Sequence, residues 1–227
     1  MKQNNPNKFT SEIFKLVEDL SGPSYFTNAF SDIKIKSLII LSGVFRSDHS
    51  YLGRYLARML SNNHLFKGKT VLDLGCGCGL LGLICALNGA KYVHFSDINP
   101  TSIKNTQLNA LLLGVNNCSY YCGSLFENIP TDILFDHIIF NPPSISGKAK
   151  STSELALIRD NKVISRFYKQ FPKHLIKNGS VIMPVSTRFH DELSPLKMVK
   201  QYGYKNITID EQIEEDGNCK SIIEIKT

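Results

Sequence analysis

The chain has 227 residues, of which 42% are hydrophobic and 20% charged, which allows one α/β-sized core with a modest extension and excludes wholesale disorder. Twenty-six Lys and Arg against 20 Asp and Glu leave a formal charge of +6 and a pI near 8.9, compatible with an acidic or nucleic-acid partner, although no run of five basic residues demands one. No apolar stretch approaches bilayer-spanning length and six Cys in such a chain do not make a disulfide framework, so a soluble cytoplasmic protein with no membrane attachment is expected.

Residues 1–9 read as a polar tail without a signal-peptide core. Ile13, Leu16, Val17 and Leu20 fall at i, i+3, i+4 and i+7, which predicts a short amphipathic helix stopped by Ser21-Gly22-Pro23. Ile33 to Lys36 alternates and Leu38 to Leu41 is continuously apolar, so a small β element is expected, ending at Ser42-Gly43. Leu52, Tyr55, Leu56, Met59 and Leu60 predict a second helix, with Arg54 and Arg58 on its other face.

After Lys67-Gly68-Lys69 short apolar strands alternate with helices. A strand at Val71-Leu72 enters a glycine-rich turn and a helix that runs through Leu87 and stops near Gly89. A strand from Tyr92 to Ser96 ends at Asp97, and a helix follows from Pro100 to Leu113, with Pro placed where no N–H bond is lost. Strands are expected at Ser119–Cys122 and Phe135–Phe140. A capping box at Ser151-Thr152-Ser153-Glu154 opens a helical region that should end at Asn178-Gly179. A strand at Val181–Val185, a helix from Leu196 to Tyr202 and two closing strands, Tyr204–Ile209 and Ser221–Ile225, complete the chain. This rhythm predicts a seven-stranded, mostly parallel sheet covered on both faces, with an antiparallel last strand. The predicted division is an extension over 1–66 (helix, small β element, helix) and a main domain over 67–227.

Two motifs carry chemistry. In Asp73-Leu74-Gly75-Cys76-Gly77-Cys78-Gly79 the glycines allow a tight turn and a close ligand approach, and the helix start offers N–H groups and partial positive charge. The GCGCG spacing differs from the GxGxxG of dinucleotide sites. S-adenosylmethionine, which ends in a carboxylate and an ammonium, suits the turn: Asp73 can hold a cation or hydroxyl, and backbone N–H groups the carboxylate. Asp97 can accept both hydroxyls of a ribose. The adenine is expected against Cys122-Gly123-Ser124-Leu125, with the Ser124 hydroxyl at its edge and Ile98 and Leu125 flanking the ring. The plainer readings are that Asp73 caps the turn, Asp97 caps the following helix and Ser124 caps a turn.

Sixty-two residues beyond Gly79 stands Asn141-Pro142-Pro143-Ser144. The prolines fix the backbone and remove donors, so the Asn141 side-chain carbonyl and the Pro142 main-chain carbonyl can together accept both hydrogens of an NH₂ group. Two fixed acceptors out of its plane favour a pyramidal nitrogen and aim its lone pair, so orientation and placed dipoles are the protein's contribution. Alone, Asn-Pro-Pro is a common strand-ending turn; after the fourth strand of a chain with this glycine turn it reads as a clamp.

Residues 38–144 resemble the methyltransferase small-domain family of class I S-adenosylmethionine enzymes, through Ser42-Gly43-Val44-Phe45-Arg46-Ser47-Asp48, DLGCGCG, Asp97 and NPPS. The family includes guanine-N2 methyltransferases of ribosomal RNA and is similar to the HemK-type enzymes that methylate a glutamine amide of release factors. The resemblance implies a Rossmann-like fold. It also implies that Phe45 and Arg46 border the cofactor, that Gly75, Cys76, Gly77 and Gly79 hold its methionine part, that Asn141 touches both cofactor and acceptor, and that Pro142 and Ser144 complete the acceptor site. The expected activity is methyl transfer to an amide or amine nitrogen of a protein or RNA; a small amine or amide metabolite as substrate, and a non-catalytic binding subunit, are the alternatives. Three features depart from the family. Ser144 stands where an aromatic residue usually stacks on the target, which removes about 1–3 kcal/mol of base stacking. Ser124 replaces a common Asp or Asn, and the N-terminal part is short for a substrate domain.

No metal site is expected: Cys76 and Cys78 have no partner pair, and His49, His64, His94, His137, His174 and His190 show no ligand spacing. His49, beside the cofactor segment, is the one His placed for a role. Arg46, Arg54, Arg58, Lys148 and Lys150 can flank the site mouth or simply be solvated, Ser144–Ser153 can act as a lid, and Tyr25, Phe26 and Phe30 suit either a stacking surface or core.

Overall fold

The computed structural model describes residues 25–27, 33–45, 50–150, 154–188 and 194–227. The helix expected at 13–20, together with Phe30, Arg46, His49, His190 and the Ser151–Ser153 half of the capping box, lies outside these. In chain order the elements are β1 (Tyr25–Thr27), β2 (Leu38–Ile40), α1 (Tyr51–Asn62), β3 (Thr70–Leu74), α2 (Leu80–Leu87), β4 (Tyr92–Asp97), α3 (Pro100–Leu112), β5 (Cys118–Cys122) and β6 (Phe135–Phe140). Then come β7 (Ile145–Ser146), β8 (Ile158–Arg159), α4 (Asn161–Gln170), a 3₁₀ turn at Phe171–His174, β9 (Leu175–Ser186), α5 (Pro195–Gln201), β10 (Lys205–Ile213) and β11 (Cys219–Lys226).

Seven strands form one sheet in the order β10-β11-β9-β6-β3-β4-β5. The five strands from β9 to β5 run parallel, and β11 is antiparallel to both its neighbours. The central strands are apolar on both faces because helices cover both. Successive residues feed opposite layers: Val71 and Ile139 pack in a cluster with α1, α2 and α3, while Leu72 and Ile138 pack in one with α4 and α5. Chain order reverses between β3 and β6, and in such sheets the crevice at the carboxyl ends of the strands on either side of that point is where ligands bind.

Residues 33–66 share the first of these cores: Ile35, Leu38, Ile40, Leu56 and Leu60 cluster with Val71 and Val93. Strand β2 is held by two fully buried amides of α3. Asn109 accepts from Ile39 N–H at 2.8 Å, and its Nδ2 donates to the carbonyls of Ile39 and Cys78. Asn105 accepts from Leu41 N–H and donates to Ile39. A helix thus supplies the ladder partners that a neighbouring strand would otherwise give.

Two local expectations are corrected. Ile33–Lys36 is not a strand; only Leu38–Ile40 pairs, with Tyr25–Thr27. The helical region expected to reach Asn178-Gly179 instead ends at Gln170, where Pro172 cannot continue an α-helical ladder, and β9 already starts at Leu175. Asn178, at φ 68°, and Gly179 make a turn inside that strand, beside the register shift against β6. A Cβ at Gly179 would stand 2.9 Å from the Phe135 carbonyl oxygen, so a strand irregularity, not a helix end, requires the glycine.

Candidate active site

Strand register brings the two motifs together. Leu74 of β3 pairs with Phe140 of β6 in parallel, so Gly75 and Asn141 leave adjacent strands at the same level, at the chain-order reversal. A Cβ on Gly75 would lie 3.9 Å from the Phe140 ring.

The turn itself is bound largely to its own surroundings. Gly75 and Cys76 N–H donate to the Ser96 carbonyl, Gly77 N–H donates to Asp97 Oδ2 at 2.9 Å, and Gly79 N–H donates to the Cys76 carbonyl. The expectation that these N–H groups receive a ligand carboxylate is therefore corrected: the turn offers space more than donors. Around Gly77 that space is open, since a Cβ there would meet nothing within 4 Å. At Gly79, φ 85° combines with Thr106 Cγ2 only 2.7 Å from a Cβ position, so no side chain is admitted between turn and α3. Cys76 is buried, its Sγ 3.4 Å from Thr106 Oγ1, and Cys78 is buried as well.

Asp73 is placed differently from the sequence expectation. It is 1% exposed, and Oδ2 accepts from Gly82 N–H at 2.8 Å, which ties β3 to the first turn of α2. Burial raises its pKa to about 7 against the lowering effect of that N–H, and Asp97 pushes the same way. It positions the turn and presents no face to a ligand. Asp97 holds Gly77 N–H on one oxygen and Asn99 N–H on the other, at 2.8 Å. Burial also raises its pKa, opposed by the N–H groups of Asn99 and Gly77 and the Ser102 hydroxyl. With three donors on its four lone-pair sites, Asp97 keeps one for a ribose hydroxyl, which corrects the expectation that it accepts both. Next to it Ile98 is 44% exposed, an apolar surface at the crevice, and the Asp97 carbonyl accepts from Gly123 N–H.

The loop after β5 corrects one more expectation, at Leu125. The Ser124 hydroxyl accepts from Arg166 of α4, and its N–H donates to Glu127. Leu125 turns into the core at 8% exposure, with φ 54° and its carbonyl accepting from the Ser96 hydroxyl. Phe45 follows the buried Val44, and Asn99 Nδ2 donates to the Gly43 carbonyl at 3.0 Å, which fastens this segment to the turn after Asp97.

Asn141 lies against the start of α1: its Nδ2 is 3.2 Å from where a Cβ on Gly53 would stand. Beyond it Pro142, Pro143 and Ser144 line a small pocket closed by Leu52 of α1, Ile164 and Tyr168 of α4, Met183 to Ser186 of β9, and Pro195. Among the described residues, no charged side chain is in that lining. The expected lid loop contains the two-residue strand β7, paired in parallel with β8. His94 is packed among Tyr92, Tyr121 and Phe135, and burial lowers its pKa to about 4; His137 packs on Phe66 and Ser180. Among the described residues no group of three or more His, Cys, Asp or Glu could hold a metal ion, and no helix is long and apolar enough to cross a membrane.

Sequence reasoning missed Gly53, Leu52, Arg166 and the β9 wall. Only Gly53 left a trace, as a glycine inside a strongly helical pattern.

A seven-stranded sheet with its last strand antiparallel, a glycine turn after β3, an acid after β4 and Asn-Pro-Pro after β6 define a class I methyltransferase. The profile of the methyltransferase small domain family matches residues 36–206; the chain belongs to that family and is an S-adenosylmethionine-dependent methyltransferase. A protein of Methanocaldococcus jannaschii, provisionally named a protein N5-glutamine methyltransferase, is 34% identical over 154 residues, covering 65% of this chain and 76% of its own. The crystal structure of ribosomal protein L11 methylase from Lactobacillus delbrueckii subsp. bulgaricus superposes with a TM-score of 0.54 at 23% identity, over 76% of this chain and 77% of that one. The tRNA m1G37 methyltransferase of M. jannaschii gives 0.59 at 17% identity, over 86% of this chain but only 52% of its own. These two structures share the fold.

The residues present fit the cofactor. Asp97, its pKa raised by burial, is the carboxylate of the two that can face a ligand, and a cationic ligand nearby would supply the counter-charge that desolvation favours. The open side of Gly77, the remaining lone pair of Asp97 and the exposed Ile98 would take the methionine part, the ribose and the adenine respectively.

Proposed function

We propose that the chain methylates a neutral, planar NH₂ nitrogen, a side-chain amide or the exocyclic amine of a base, carried by a protein or an RNA. The observation that carries this reading is that the backbone leaving Asn141 runs directly into a pocket lined by Pro142, Pro143 and Ser144 in which, among the described residues, no side chain is charged. Against those described residues an ammonium would lose its hydration with no carboxylate to replace it, a cost of several kcal/mol, whereas an amide or aromatic amine needs only hydrogen-bond acceptors. Bound S-adenosylmethionine supplies an electrophilic methyl on a positive sulfur. Asn141 Oδ1 and the Pro142 carbonyl accept the two N–H groups and turn the lone pair toward the cofactor side, and the proline-lined wall keeps water from competing for those acceptors. The relatives named for protein glutamine, ribosomal protein and tRNA support a macromolecular acceptor.

The test is transfer of labelled methyl from the cofactor into an extract of cells lacking the protein, followed by size fractionation. Label is expected in protein or RNA, and Asn141→Ala should abolish it while cofactor affinity stays within a few-fold. Label confined to low-mass material would leave the small-metabolite reading instead; no cofactor binding at millimolar concentration would leave a non-catalytic subunit. Unchanged turnover in Asn141→Ala would refute the clamp.

A further inference from the structure

A surface helix ordinarily buries an apolar stripe; α3 in large part reverses this. Alongside Ile103 and Ala110 it buries Ser102, Asn105, Thr106 and Asn109, a polar row spaced i, i+3, i+4 and i+7, while Leu108, Leu111 and Leu112 are exposed. Buried polar side chains cost free energy unless each is bonded, and here each has a partner. Asn105 and Asn109 hold β2. Ser102 and Thr106 instead hold Asp97 and Gly77, the acid and the open glycine of the crevice.

Thr106 does so with its whole side chain. The hydroxyl donates to the Gly77 carbonyl at 3.0 Å, and the methyl group packs on Gly79, where a Cβ would stand 2.7 Å from it. Cys76 Sγ lies 3.4 Å from the same hydroxyl oxygen. Burial pushes the Cys76 thiol up, so the thiol keeps its hydrogen and donates, and the single hydrogen of the hydroxyl is committed to Gly77. Gly77 is then held by both of its polar groups, because its N–H donates to Asp97 Oδ2 at 2.9 Å. With φ at 56° and nothing within 4 Å of a Cβ position, its open side is left to the crevice.

We infer that Thr106 is a positioning residue for the cofactor: its hydroxyl holds the Gly77 carbonyl back and so keeps clear the space for the methionine part of S-adenosylmethionine. Without that bond the carbonyl would lack a donor, and the Gly77–Cys78 peptide would rotate toward water in the crevice. The rotation would carry a carbonyl oxygen into the ligand's space. This rests on the placement of the methionine part against Gly77.

Calorimetry on the full chain with S-adenosylmethionine and with adenosine, which has no methionine part, tests the inference. Thr106→Val keeps the shape and loses the bond; it should weaken S-adenosylmethionine about tenfold, the order expected for one acceptor left unpaired, and leave adenosine within about twofold. Thr106→Ala, which sets no methyl against the Gly77 carbonyl, should show the same split, and Thr106→Ser should recover most of the parental affinity. Equal losses for both ligands, unchanged S-adenosylmethionine affinity in the Val and Ala variants, or a Thr106→Ser variant as weak as Thr106→Val would overturn the inference. Gly77→Ala tests the placement separately, since its Cβ would fill the open side and should weaken S-adenosylmethionine more than adenosine. If Gly77→Ala binds both as the parent does, the placement falls and this inference with it. If Gly77→Ala shows the split and Thr106→Val does not, the role of Thr106 alone falls.

Discussion

The seat of Asn141 rests on an absent side chain. Gly53 lies in the first turn of α1, where Gly→Ala ordinarily stabilises a helix by about 1 kcal/mol. Here the new Cβ would sit 2.6 Å from Ser50 Oγ, 3.0 Å from Ser50 Cβ and 3.2 Å from Asn141 Nδ2. Ser50 is the N-cap and accepts from Gly53 N–H at 3.0 Å, so expelling its hydroxyl costs about 1 kcal/mol. The two effects nearly cancel, and Gly53→Ala should melt within a few degrees of the parent. Asn141 must still yield by a few tenths of an ångström. A displacement of 1 Å can cost about 100-fold in rate, so a drop in kcat of about tenfold is expected, with cofactor affinity unchanged. Steady-state kinetics with methyl-labelled cofactor, calorimetry and thermal melts measure the three quantities. Ser50→Ala separates cap from clamp: it should lower the melting temperature and leave kcat intact. Full turnover by Gly53→Ala at the parent's stability, or a kcat restored by adding Ser50→Gly, would refute the view that this glycine makes room for the clamp.

Two other consequences concern stability. Asp73 has a folded pKa of about 7, against 3.8 for an ordinary aspartate. The folded state therefore keeps its proton where the unfolded chain has lost it, so the group favours folding below pH 4 and loses that contribution as pH rises to about 7, roughly 4 kcal/mol at most. Asp73→Asn keeps an acceptor for Gly82 N–H and should flatten this dependence, giving a more stable protein than the parent at pH 8; urea unfolding at pH 5 and pH 8 showing the same change in stability for both proteins would contradict it. Asn109→Ala removes bonds to Ile39 and Cys78 from a fully buried site and should cost about 2–4 kcal/mol, with hydrogen exchange accelerated at Ile39; unaltered protection there would rule out the role of α3 as a substitute strand partner.

Local sequence signals specified what depends on neighbours in the chain. Leu-Asp-Leu-Gly marked a strand entering a turn, Pro100 marked a helix start, and Phe135–Phe140 was legible to the residue because a short apolar run bounded by polar turns has few other solutions. The Asn178-Gly179 pair misled for the same reason: a residue at positive φ followed by glycine ends helices and breaks strands alike, and only the approach of the Phe135 carbonyl decides between them.

The amino-acid order by itself determined the alternation of strands and helices, the glycine turn, the Asn-Pro-Pro motif proposed as the clamp and, from these, the methyltransferase class. Tertiary structure alone decided the partners. Asp73 faces Gly82 rather than a ligand, Leu125 faces the core, Ser124 meets Arg166, and Asn141 rests where Gly53 leaves space. The division has a physical cause. Turn, cap and periodicity preferences act within a few residues, whereas the side of a strand end that a polar group faces is set by burial and by hydrogen-bond partners, and those arrive from elements 9 to 88 residues away in the chain.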